Sequence, residues 1–474
     1  MTTPPREPAT RARAGRSKKA LPAARAASCV VVVLGASCTG TPAPGELQAR
    51  DDLAKVQHAY RPDGTLPTLP QLTTSSPLGD YLRFGMLRDP RVEAAYHAWA
   101  AGVERITVAR SRPDPRLTFE ADVTSMLETA MFGLMTDFPG PGKLAAAGEA
   151  AARESQAAYF AFERAVLETA VAVKTAYYRL QFLEENLRVQ RATLALLADL
   201  EQVARSQNSA GRVTLQDVLR AQIEQDQVST RIENLEDSRR PLLAELKQAL
   251  GLGPEAADPP VPAAFESSPG LEPAETLLET ALSRNPDLRR MEAEVQAGVA
   301  MLGLAGKSGV PDFTLGLEAD VKSSPVMLRP SASMTLPVWR DRIAAEIAGA
   351  QAGKRAAEAR LSAGQIAVAA DLAAMLFAYR ESLRDIALLS ERLIPKGRQS
   401  LEAARPAYST GRAGFLDVLD AQRQLLAFET ALIDARTRRE LALASISATI
   451  AGIHSPGAPV LPHEPEPAAK EPKQ

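Results

Sequence analysis

The sequence predicts a mainly α-helical protein with a small β-barrel portion, built from two copies of one long-helix hairpin. Three observations carry that expectation. First, residues 209–222 and 409–422 share the pattern SxGRxxxxDVLxAQ at an offset of 200. Asp89-Pro90 matches Asn285-Pro286 at 196, while Glu120–Val123 matches Glu318–Val321, and Pro139 matches Pro337, at 198. Landmarks in one order with so little drift indicate duplication. Second, only one of 35 prolines falls in residues 143–250 and two in 341–453, so proline marks where the long helices stop. Third, apolar residues in those stretches step by three and four, the seam of a coiled coil.

The N-terminal elements come first. Residues 11–25 carry six basic residues and no acid, and Ala26–Ser37 is apolar or small. This reads as a signal peptide over 1–37, too short to span a bilayer. Cys38 after Leu34-Gly35-Ala36-Ser37 resembles a lipoprotein cleavage site, with Cys38 acylated, palmitate included; ordinary secretory cleavage is the alternative. A linker is expected over 38–77, the first repeat over 78–250, a proline-rich linker over 251–273, the second repeat over 274–453 and a disordered tail over 454–474.

Within each repeat the expected order is short helix, two strands, very long helix, turn and long helix. Strand alternation sets Leu117, Phe119, Ala121 and Val123 opposite Thr118, Glu120 and Asp122. Phe313–Val321 repeats this, with Glu318 and Asp320 on the polar side. The hairpins are placed at 116–138 and 312–338, with return strands about Phe132–Phe138 and Ser331–Leu336. A first loop is expected about Thr124–Ala130. These lengths approach those of tilted strands crossing a bilayer.

The first long helix, Lys143–Ser206, would be about 96 Å long at 1.5 Å per residue. Its seam runs Val173, Ala176, Leu180, Leu183, Leu187, Gln190, Leu194, Leu197. The second seam runs Leu372, Met375, Tyr379, Ser382, Ile386, Leu389, Leu393, Lys396. Pro395 predicts a bend. Gly211 and Gly411 stand where the chain reverses into helices about Thr214–Leu250 and Gly414–Ile453. Outside the signal segment, no run of about 18 purely apolar residues is present, so no membrane-spanning helix is expected.

Composition narrows the function classes. Lys plus Arg is 55 against 57 Asp plus Glu, which gives no nucleic-acid footprint. Two Cys and four scattered His leave no basis for a disulfide scaffold or zinc module. No nucleotide loop or metalloprotease motif occurs, so no enzyme and no cofactor are expected. Aromatics are only 5%, so burial is expected to rest on Ala, Leu and Val.

The duplicated SxGRxxxxDVLxAQ, Asn285-Pro286-Asp287-Leu288, Leu393-Ile394-Pro395 and Tyr408–Gly411 followed by Asp417–Gln422 resemble the TolC-type outer membrane efflux factors. The resemblance spans about residues 78–453. It implies a homotrimer whose chains each give four strands to a 12-stranded outer membrane β-barrel and their helices to a periplasmic tunnel. It implies a lipid-anchored exit duct of a tripartite efflux pump in the Gram-negative outer membrane, working with a periplasmic adaptor and an inner-membrane pump. A type I protein secretion duct and a non-inserted periplasmic coiled-coil scaffold are the alternatives. Thr335–Arg340 and the compact hairpins resemble the heavy-metal branch more than the drug-efflux members.

Residue by residue, the resemblance implies a periplasmic gate at Tyr408, Asp217, Asp417 and Asp420, with Asp420 in an acidic ring. Arg412 stands one place before the usual gate-linking arginine, whose own place is taken by Ala413; a plain helix-surface role is the alternative. Ser209, Gly211, Arg212, Ser409 and Gly411 would form adaptor-contact turns, although a turn needs glycine in any case. Glu120, Asp122, Glu318 and Asp320 would face the barrel lumen, either favouring cations or simply solvating the wall.

Overall fold

The computed structural model describes residues 42–123, 127–263, 266–271 and 274–450. The signal peptide, Cys38 and the tail 454–474 lie outside the described residues.

Helix α1 (Pro44–Tyr60) occupies the segment expected to be a linker. Buried Glu46, Val56 and Tyr60 fix it, so the segment is packed structure rather than a spacer. Helices α2 (Leu78–Arg88) and α3 (Pro90–Arg110) follow. Asp89 caps α3 by accepting from the Arg91 amide at 2.8 Å, with Pro90 at the first helical position, where its missing N–H costs nothing. The second repeat repeats the device. Asn285 accepts from the amides of Asp287 and Leu288 to open α7 (Pro286–Ala305), which follows α6 (Ala274–Arg284).

Strands β1 (Arg116–Val123), β2 (Leu127–Phe138), β3 (Phe313–Asp320) and β4 (Met327–Met334) form one antiparallel sheet in chain order. Both return strands begin earlier than the sequence suggested. Thr129 and Ala130, expected in a loop, pair with Asp122 and Ala121. Pro330 obscured the start of β4, yet it stands on an edge strand of the sheet, where a missing amide is tolerated. The two hairpins are locked at their base, where Asp312 accepts from the Gly140 amide at 2.7 Å and pairs with Lys143 at 2.8 Å.

The rods dominate the molecule. Helix α4 (Lys143–Ser209) runs 67 residues, about 100 Å, and packs against α3, α7, the antiparallel α5 (Leu215–Ala249) and α10 (Phe415–Ile450). Its seam is close to what the stepping predicts: Val173, Ala176, Leu180, Leu183, Leu187, Gln190 and Leu197 are buried, while Leu194 is half-buried and its neighbour Thr193 is buried instead. The second rod runs 70 residues, Arg340–Ser409, and is interrupted. Helix α8 (Arg340–Ala387) passes through a π-helical stretch, Leu388–Leu393, into α9 (Ile394–Ser409). Beyond Leu389 the buried residues are Ile394, Gly397, Leu401 and Tyr408, while Lys396 is exposed. The seam therefore continues one residue later than regular stepping predicts. A π turn inserts one residue, and its wider i→i+5 spacing carries carbonyls clear of the Pro395 ring.

An 18-residue window in the second rod reaches a mean hydropathy of 1.6, long and apolar enough by composition to cross a membrane. No uninterrupted apolar run is present; alanine carries this window, with isolated polar residues between. Ile366 and Phe377 on this rod are 72% and 60% exposed.

The scarce aromatics are concentrated where α1, α3 and α4 meet. Trp99 stacks on Phe162 with ring centroids 5.9 Å apart, beside Tyr60 and Tyr96. The proline-rich linker crosses the helices as a strap. Its amides at Ala263 and Ser268 donate to the Thr74 carbonyl and the Glu440 carboxylate. Buried Lys174 faces Glu440 there, and burial lowers its pKa.

Candidate gate and conduction surfaces

The sheet separates its two faces by chemistry. Pairing places Leu117, Leu134 and Leu317 in one row and Phe119, Phe132, Ala319 and Leu328 in the next. All but half-buried Ala319 are solvent-exposed: Leu117 is 79% and Phe119 62% accessible. Trp339, just past the hairpin, is also exposed. The opposite face carries the four sequence-predicted carboxylates. Glu120 and Asp122 are exposed and Glu318 half-buried. Asp320 is buried and accepts from the Lys322 amide at 3.0 Å, which closes the β3–β4 turn.

Sequence reasoning missed three charged groups on this face. Arg116 pairs with Asp137 at 2.7 Å, and Arg329 lies directly opposite Glu318. Five carboxylates thus stand against two guanidiniums, a net of three negative charges per chain. Extending the alternation to the whole of β2 and β4 would have found Asp137 and Arg329, and starting it one residue earlier on β1 would have added Arg116.

At the far end of the rods, both chain reversals are Schellman turns. Gly211 (φ 71°) and Gly411 (φ 73°) adopt the left-handed conformation. The Arg212 amide donates to the Gln207 carbonyl at 2.9 Å, and the Arg412 amide to the Ala407 carbonyl at 2.7 Å. Gln207 also donates to the carbonyls of Tyr408 and Ser409, which brings the two turns side by side. Ser209 and Ser409 each donate to the carbonyl three residues back, leaving Arg212 and Arg412 exposed. A side chain added at either glycine would meet open space.

The residues proposed for a gate divide into three situations. Tyr408 is buried against Phe415, ring centroids 5.5 Å apart, and its hydroxyl has no hydrogen-bond partner among the described residues. Burial, reinforced by the Asp217 charge, pushes its pKa up to about 12. Asp417 accepts from the Gly414 amide at 2.8 Å, half of a capping box that starts α10. Asp420 is exposed, one face around the same helix, 4.0 Å from Arg423.

Arg412 donates to Thr410 within its own turn, with no ion pair to another helix among the described residues. Next to Asp420, it is Arg423 that links two helices, joining α10 to the carboxylate of Glu224 on α5. Its signal was present in the sequence: Glu224 interrupts the buried stripe Val218, Ala221, Val228, Ile232, and a carboxylate there requires a partner.

Among the described residues, no group of three or more His, Cys, Asp or Glu is arranged to hold a metal ion. His58 and His97 lie on α1 and α3, while His454 and His463 fall outside the described residues.

Comparison with known proteins follows this geometry. A curated relative is the cobalt-zinc-cadmium resistance protein CzcC of Cupriavidus metallidurans, 24% identical over 327 residues, covering 68% of this chain and 77% of the relative. The outer membrane protein VceC of Vibrio cholerae has a similar structure, with a TM-score of 0.68 and 19% identity, over 79% of this chain and 95% of that one. The MtrE outer membrane channel of Neisseria gonorrhoeae, solved in its open state, has a TM-score of 0.67 and 16% identity over 82% and 96%. The profile described as outer membrane efflux protein matches residues 86–252 and 277–452, the two repeats almost end to end. With a duplicated rod, a two-faced sheet and both repeats matched, the chain belongs to the outer membrane efflux protein family.

Proposed function

We propose that this outer membrane channel is the exit duct of a tripartite pump that expels cations, conducting passively from a periplasmic adaptor and an inner-membrane transporter. The observation that carries the reading is the sheet: an exposed apolar face, a net-negative polar face, and edges β1 and β4 both unpaired in one chain. Three copies joined edge to edge give 12 strands, with the apolar face toward outer membrane lipid and the carboxylates toward the lumen. The exposed Ile366 and Phe377 of α8 then meet the neighbouring copy. A face this apolar supports insertion over a periplasmic scaffold.

The Schellman turns would meet the adaptor, and Asp217, Asp420 and Tyr408 would close the tunnel. Cys38 acylation would tether the chain six residues before α1 in sequence. The likeness to CzcC favours divalent metal cations over drugs as the exported class. Reversal potentials of the purified oligomer in planar bilayers test the reading. Cation preference is expected; anion preference would overturn the cation lumen.

A further inference from the structure

The wall of the helical tunnel contains a groove between α5 and α10, floored by α4, with a volume of about 580 Å³. Its position follows from two helical stripes. On α5, Asp217, Arg220, Glu224, Gln227 and Arg231 step by three and four; on α10, Asp420, Arg423, Ala427, Thr430 and Asp434 do the same. The two gate acids therefore begin the stripes that line the groove, which opens on the surface they share, immediately above them.

Its floor is unusual for a coiled-coil seam. Gln190 and Gln422 are 2% and 5% exposed, and the Oε1 atom of each has no hydrogen-bond partner among the described residues. Their amide nitrogens are already engaged, with Asn186 Oδ1 and Thr193 Oγ1 respectively. Buried acceptors left unmade cost about 1–3 kcal/mol each, so the site favours an occupant that donates hydrogen bonds. Glu224, 7% exposed, stands in the same wall. Its partner Arg423 is a 54% exposed side chain that can swing into solvent. Around these acceptors Leu197, Val228, Leu419 and Leu426 form an apolar bed. A volume in the range of pockets that take drug-sized ligands, mostly apolar with a few convergent polar groups, fits a specific class.

We propose that this groove binds an organic cation, an ammonium or guanidinium head on an apolar body. The head donates to Gln190, Gln422 and Glu224, displacing Arg423, and the body lies on the leucines. An ammonium group donates hydrogen bonds, which is what the two unpartnered Oε1 atoms lack. The inference rests on the gate reading in one respect, that the stripes of Asp217 and Asp420 face the lumen. It adds a way-station in the tunnel wall for solutes other than metal ions.

The test uses the full-length oligomer in detergent and monodansylcadaverine, a fluorescent amine with an apolar ring system, with uncharged dansylamide as control. Saturable, blue-shifted fluorescence is expected for the amine only. Gln422→Met and Gln190→Met should each weaken it by roughly 10-fold or more, the scale of a lost hydrogen bond to a charged group. The oligomer is checked by size exclusion for every variant, and two separate substitutions guard against one misfolding. Equal binding of dansylamide, unchanged binding in both variants, or no saturable signal would overturn the site; the last outcome means that water alone satisfies the two oxygens. Asp420→Asn separates the underlying reading. It should relieve block of bilayer currents by a trivalent cation while leaving amine binding intact. Amine binding with unrelieved block removes Asp420 from the constriction and keeps the site; relieved block without amine binding does the reverse.

Discussion

Replacing Glu46 with Gln should release α1 from the rods. The Glu46 carboxylate is 1% exposed and accepts from Arg110, from Thr107 at 2.7 Å and from Arg50 at 3.3 Å. The Arg110 hydrogen bond, working against burial and aided by Thr107 and Arg50, lowers its pKa from 4.5 to about 2. That shift corresponds to about 3 kcal/mol at neutral pH, matching the 3–5 kcal/mol typical of removing one partner from a buried pair. Because the folded-state pKa is depressed, the stabilisation is complete above pH 4.5 and is lost as pH falls through about 2. By pH 3 more than half of it is gone. Amide exchange across α1, corrected for intrinsic rates, reads the effect directly. At pH 7, Glu46→Gln should speed exchange on the order of 100-fold with little change in α4. Lowering pH to 3 should loosen α1 in the parent and leave the variant unaffected. Equal α1 protection in parent and variant at pH 7, or a parent insensitive to acid, would refute the assignment of Glu46 as the clamp.

Two further outcomes follow. Deleting Ser390 should convert the π stretch to α-helix and keep the seam in register, but it drives the Pro395 ring into a carbonyl; the deletion should therefore cost about 3 kcal/mol unless paired with Pro395→Ala, and equal melting temperatures for both variants would contradict that role. Gly411→Ala and Gly411→Arg pay similar backbone strain, and a Cβ at this position meets nothing within 4 Å, so loss of pump assembly by Arg alone identifies the turn as a partner contact, whereas equal behaviour makes it purely a turn.

What the sequence showed, and what it hid, divide along physical lines. Signals repeated every few residues were legible: the seam from Val173 to Leu197 and the strand alternation around Phe119 were read nearly residue for residue. So were the left-handed glycines, because no other residue takes that conformation so cheaply. Interactions between distant segments were not legible. Arg423 with Glu224, Arg110 with Glu46 and Ser268 with Glu440 join residues 64 to 199 positions apart, and no local pattern selects those partners. Helix α1 was missed for the same reason: it packs through long-range contacts and its own amphipathic pattern is weak.

The π stretch shows how duplication and divergence meet. The offset between repeats grows by two, from 198 at the strands to 200 at the turns, so the second long segment is two residues longer than the first, and the π turn takes up one of them. A straight α-helix with one extra residue would rotate everything beyond it by about 100°, carrying Leu401 and Tyr408 off the seam. The π turn between Leu388 and Leu393 absorbs that rotation, and Pro395 favours it at this site over any other. Proline, which breaks a regular α-helix, here lets a lengthened one stay in register. The return helix α10 can then pair with both rods and present Asp420 and Gln422 from one element, one outward and one into the wall.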